Sequence, residues 1–82
     1  MSEIQPDSAM HDLDVTVWVG KNGLDAVVDE LDDQLRERGL VKVKFLRAAR
    51  SEGDPAELAA ELGERTNASV VDTRGHTAVL ER

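Results

Sequence analysis

Eighty-two residues make one domain, with no room for a second core. The chain has no cysteine, which excludes a disulfide framework and a thiolate metal site, and 17 acids against 10 Lys and Arg give a formal net charge of −7. At 40% hydrophobic residues, with Trp18 and Phe45 as its aromatics, the core has to be built from Val, Leu and Ala.

Residues 1–13 combine Ser, Pro, Asp and His with scattered apolar residues. They read as a mobile N-terminal tail with at most a short turn near Met10 and Leu13. They have neither the basic n-region nor the apolar h-region of a signal peptide, and no stretch approaches the roughly 20 apolar residues of a membrane span. A soluble cytoplasmic protein is the expectation. From Asp14 to Val19 the alternation predicts a half-buried strand, with Val15, Val17 and Val19 on one face and Thr16 and Trp18 on the other.

The strand runs into Gly20-Lys21-Asn22-Gly23. Asn22-Gly23 alone would signal a hairpin. Leu24, Val27, Val28, Leu31 and Leu35 then recur at helical spacing with acids on the opposite face, so the loop is expected to open a helix. Gly39 stands where a helix C-terminal glycine belongs, and Arg36 and Arg38 complement the negative end of the helix dipole. Val41, Val43 and Phe45, alternating with Lys42, Lys44 and Leu46, predict a second strand parallel to the first, because a whole helix lies between them.

A polar loop over 48–53 leads to Asp54-Pro55-Ala56-Glu57. There an Asp N-cap, a Pro at the first position and a Glu three residues after the cap agree on a helix start. Leu58, Ala59 and Leu62 give that helix a buried face. Two short strands, 69–72 and 77–80, flank the Arg74-Gly75 turn. The order β-α-β-α-β-β over residues 14–82 predicts a two-layer α+β sandwich, a four-stranded mixed sheet with both helices on one face. A sheet covered on both faces shows nearly continuous apolar strands, yet Lys42 and Lys44 share a face. Thr16, Trp18, Lys42 and Lys44 are therefore expected on an open or partly open surface.

The glycine loop has a common physical use. Two glycines let backbone N–H groups approach a phosphate, a following helix N-terminus adds partial positive charge, and the lysine adds a full one. The charge distribution supports that use. Residues 24–38 hold six acids and two bases, whereas 42–50 hold four bases (Lys42, Lys44, Arg47 and Arg50) and no acid. A basic stripe kept inside an acidic chain is expected where one face meets phosphate. The acid-rich, lysine-poor remainder suits a halophilic host, since molar salt screens carboxylate repulsion within about 3 Å. It equally suits an ordinary acidic protein.

Trp18 is placed either to stack on a base or simply to pack. His11 and His76 have no partner at metal-binding or acid–base spacing, and the adjacent Asp32 and Asp33 occupy different helix positions. Gly20-Lys21 lacks the upstream glycine and following Ser/Thr of a P-loop. No catalytic constellation, metal site or cofactor site is expected, and the chain reads as a binding protein rather than an enzyme. A rival reading is a protein–protein adaptor that docks its acidic helix (Asp25, Asp29, Asp32, Asp33) on a basic partner.

The stretch V-W-V-G-K-N-G-L, the acidic amphipathic helix, the G-L-V-K-V-K-F-L that follows and the closing V-V-D-T-R-G-H-T-A-V-L-E-R together resemble the CRM domain. That domain is the small RNA-binding module of chloroplast splicing factors and of prokaryotic proteins associated with large-subunit ribosome assembly. The resemblance implies a fold similar to the C-terminal domain of bacterial translation initiation factor three. It also implies an RNA-contacting loop at Gly20, Lys21, Asn22 and Gly23, loosely like the G-x-x-G loop of KH domains. Lys21 would meet phosphate, and Lys42, Lys44, Arg74 and Arg82 would add charge around it, with Trp18 beside them. The implied partner is RNA, ribosomal precursor above all, and the pre-large ribosomal subunit. Two departures stand out: members usually begin with a helix before the first strand, and an aromatic often precedes the final basic residue, where this chain has Glu81.

Overall fold

The first strand, β1 (Val15–Val19), places Val17 and Val19 fully out of solvent, as its alternation requires. A computed structural model describes residues 13–82; the expected tail lies outside them except for Leu13, and His11 lies outside them too. Among the described residues the order is β1, a 3₁₀ turn (Leu24–Ala26), α1 (Val28–Arg38), β2 (Leu40–Phe45), a second 3₁₀ turn (Ala49–Glu52), α2 (Pro55–Thr66), β3 (Ser69–Arg74) and β4 (Thr77–Glu81). The sheet order is β1-β2-β4-β3, with β1 parallel to β2 and the other two pairings antiparallel. This is the expected four-stranded mixed sheet.

One face of the sheet meets both helices. Val17, Val19, Val41, Val43, Phe45, Ala78 and Leu80 from the strands close on Leu24, Val27, Leu31 and Leu35 and on Leu58, Ala59 and Leu62 of α2. Each large side chain taken fully out of water contributes roughly 1.5–3 kcal/mol, so this single layer of Val and Leu supplies the main driving force. The α2 start is as the sequence signals. The Glu57 amide donates to Asp54 Oδ1 at 3.0 Å, and the Asp54 amide donates back to Glu57 Oε1 at 3.3 Å. At its other end Gly63 lets the chain fold back: a Cβ there would stand 2.9 Å from the Ala68 carbonyl oxygen. The Ala68 amide donates to the Gly63 carbonyl at 2.8 Å.

Three local expectations are corrected. The loop does not open directly into an α-helix. Leu24–Ala26 form a 3₁₀ turn, Val27 (φ −115, ψ −3) caps α1 without a side-chain bond, and the first α-turn carries Asp29 and Glu30. The α1 dipole is thus set back from the loop and partly neutralised by its own carboxylates. Residues 49–52 are a 3₁₀ turn within what reads as a polar loop. Thr16 leaves the open face, because the register slips between Val15 and Val17. Its hydroxyl instead donates to Gln34 Oε1 on α1 at 2.5 Å, and Gln34 Nε2 donates to the Thr16 carbonyl at 3.3 Å.

Candidate nucleic-acid interface

The face turned away from the helices has two halves. In one, Val79 is fully buried beneath Leu13, Leu40 and Val71, and the half-buried Lys42 donates from Nζ to the Leu13 carbonyl at 3.4 Å. In the other, strand register lines up four side chains in one row. Trp18 pairs with Lys44, Lys44 with Thr77, and Thr77 with Arg74, so the row crosses all four strands. Trp18 is 52% exposed, and Lys44 and Arg74 are exposed beside it.

This row borders the end of the sheet where three connections meet. The first is the Gly20–Gly23 loop, a tight turn closed by the Gly23 amide donating to the Gly20 carbonyl at 3.0 Å. Lys21 and Asn22 form its exposed tip. Gly23 adopts φ +78, ψ −171, a conformation open to glycine, which accounts for that residue by backbone geometry. Gly20 has no such reason. Its φ is not positive, and a Cβ there would meet Leu46 Cδ1 at an ordinary 3.8 Å. The second connection follows β2, where the Leu46 amide donates to the Val19 carbonyl at 2.8 Å and carries Arg47 and Arg50 past the loop. The third is the β3–β4 turn, whose His76 carbonyl accepts from the Phe45 amide at 2.8 Å.

Of the residues singled out in the sequence, Gly20, Lys21, Asn22, Gly23, Trp18, Lys44 and Arg74 gather at this end. Lys42 stands one row back, opposite Val15 and Val79. Arg82 does not join them. It follows β4 at the opposite end of the sheet, where its guanidinium donates to Asp32 Oδ1 at 2.5 Å and to the Thr66 carbonyl at 2.6 Å. Two features at the loop end go beyond the sequence pattern: Leu46, 39% exposed, and the contact of Arg50, known there only as part of the basic stripe, with His76. The pair is separated by 26 positions, so only tertiary structure reveals it.

Acids also border the loop, at Asp25 and Glu61. Arg65 bridges Asp25 and Glu61, which hold its guanidinium protonated even more firmly than usual, and Arg36 and Arg82 both reach Asp32. A cleft of about 170 Å³ beside the loop is lined by Asn22, Gly23, Leu24, Asp25, Leu58, Glu61 and Arg65. Among the described residues no group of three side chains is placed to hold a metal ion, and no helix is long and apolar enough to cross a membrane.

The profile of the CRS1 / YhbY (CRM) domain matches residues 6–82. The chain belongs to this family. It is 46% identical over 72 residues to the probable RNA-binding protein MJ0652 of Methanocaldococcus jannaschii, a match that covers 88% of this chain and 54% of that protein. The chain thus spans about half the length of this archaeal relative. Its fold is similar to the solution structure of the Staphylococcus aureus protein SAV1595, described as a candidate RNA-binding protein. That likeness has a TM-score of 0.76 and 32% identity, and covers 93% of this chain and 78% of the other. Both comparisons agree with the CRM fold implied by the G-K-N-G loop and the K-V-K strand.

Proposed function

We propose that this CRM domain is an RNA-binding protein that acts on ribosomal RNA precursor, as a large-subunit assembly or maturation factor in the cytoplasm. One observation carries the reading. The exposed Gly20–Gly23 turn and the Trp18–Lys44–Thr77–Arg74 row lie at the same end of the same sheet, so a phosphate loop, a stacking surface and flanking cations are contiguous. The description of both relatives as RNA-binding supports it.

The mechanism is binding without bond-making. Lys21 places a charge at the turn's tip, and the bare Gly20 Cα lets a phosphate approach the main chain. Trp18 offers a face to an unstacked base, and Lys44 and Arg74 neutralise neighbouring phosphates. With the α1 dipole set back, the turn and Lys21 carry more of the phosphate affinity than a helix N-terminus does. The adaptor reading loses ground, because two of its four acids, Asp25 and Asp32, are already bridged by arginines of this chain.

Sedimentation of the tagged protein from lysate, held at the cell's own salt, tests this. Ribonuclease-sensitive migration with large-subunit precursors, lost in Lys21→Glu, is the expected result. Protein that stays at the top of the gradient overturns the ribosomal target.

A further inference from the structure

Arg50 and His76 present a feature that the loop and the cross-strand row do not use. Arg50 Nη1 stands 2.9 Å from both ring nitrogens of His76. A neutral imidazole has one accepting nitrogen, so a donor equidistant from both meets neither lone pair head on. Arg50 Nε is buried and has no hydrogen-bond partner. None of the ion pairs among the described residues gives Arg50 a carboxylate. The guanidinium is held in place by its position in the fold, yet its charge and one of its donors are unmatched, which a structural arginine rarely tolerates.

We propose that Arg50 and His76 form a second anion site, which takes a phosphate of the RNA strand held at the Gly20–Gly23 loop. The inference rests on the RNA-binding reading above. Strands stand about 4.8 Å apart, and β1 and β4 flank β2, so the two sites lie roughly 10 Å apart across the sheet end. Lys44 sits on the strand between them.

The test is a titration of fluorescently labelled single-stranded ribosomal precursor fragments, across a salt series at fixed pH, with wild type, Arg50→Gln, His76→Ala and Lys21→Ala. Removal of one phosphate contact lowers the magnitude of the log Kd against log salt slope by about 0.7, which is the result expected of Arg50→Gln. His76→Ala, which removes the imidazole against the guanidinium, is expected to weaken binding several-fold. A folded Arg50→Gln with the wild-type slope overturns the second site. If Lys21→Ala loses affinity at the same time, the RNA-binding reading stands alone. Wild type that fails to bind at any salt overturns both. If Arg50→Gln does not fold, His76→Ala decides, and wild-type affinity in that folded variant rejects the site.

Discussion

Arg82, just past β4, holds Asp32 of α1 and the Thr66 carbonyl at the end of α2 with the same Nη1 atom, at 2.5 Å and 2.6 Å. One guanidinium thus ties the sheet to both helices. The Arg82 amide adds a bond to the Gly39 carbonyl at 3.0 Å, which fixes the strand end against the α1–β2 turn. A residue whose charge suggests a partner in solution serves the fold instead.

That tie has a pH signature. The hydrogen bond from Arg82, above all, holds the Asp32 carboxyl below its ordinary value of 3.8; loss of solvent opposes it as the next largest effect, and the nearby Arg82 and Arg36 charges restore the downward direction. A carboxyl depressed in the folded state contributes stability that is fully present above its unfolded value and is lost as pH falls through the folded one. Thermal unfolding from pH 6 down to pH 2 is expected to show Tm falling below about pH 4. In Arg82→Ala, Tm is a few degrees lower at pH 6, and its fall in acid is shallower. Identical pH profiles for the two proteins would rule out the tie.

The strands, α2 and its capping box were legible because each is written in a local pattern: alternation, helical spacing, and the Asp54-Pro55-Glu57 signature. Thr16 was misplaced because a strand bulge reverses alternation without any mark in the sequence; a Thr fits either face. The 3₁₀ turn at Leu24–Ala26 shares its apolar spacing with an α-helix over so short a stretch, and Val27 lacks the Ser, Thr, Asp or Asn that announces a helix cap. At the site, the loop and the Lys44 stripe were legible as motif and charge. The register that joins Trp18 to Arg74, the Arg50–His76 contact and the removal of Arg82 all depend on residues far apart in the chain, which pattern alone does not bring together.

The two loop glycines separate by cause. Gly20 sits in a backbone conformation that any residue adopts, with room for a methyl group, so Gly20→Ala is expected to leave Tm unchanged or raise it by the equivalent of about 0.4–1 kcal/mol, through the unfolded chain. Its RNA affinity is expected to fall several-fold, because the methyl occupies the path of approach. Gly23→Ala forces φ +78 on an L-residue and is expected to cost about 1 kcal/mol or more in stability. Chemical denaturation paired with an RNA titration reads both. Full affinity in Gly20→Ala removes the loop from the interface.

Trp18 is the sole tryptophan, so its emission reports one place. At 52% exposure in the row with Lys44, it is expected to emit near the solvent-exposed limit and to be quenched when a base stacks on it. Trp18→Ala is then expected to weaken RNA binding by roughly 1–3 kcal/mol, with little change in Tm. Emission that stays constant through an RNA titration that saturates by another signal would show that the base face lies elsewhere.

The choice between RNA and a basic protein as partner reduces to which charges matter. On α1, Asp29 and Asp33 stand one helical turn apart and are both exposed, whereas Asp25 and Asp32 are engaged by arginines. Asp29→Lys with Asp33→Lys therefore reverses the charge of the adaptor face without breaking an ion pair seen in the fold. Lys21→Glu reverses the loop tip instead. On the RNA reading, Lys21→Glu weakens RNA binding by about tenfold or more at moderate salt, and the double variant binds as well as wild type or better, because net charge moves toward the polyanion. The adaptor reading demands the reverse order in pull-down of the partner: the double variant fails and Lys21→Glu succeeds. Both variants carry their changes on exposed side chains, so matching circular dichroism spectra and Tm values make the comparison one of surface charge alone.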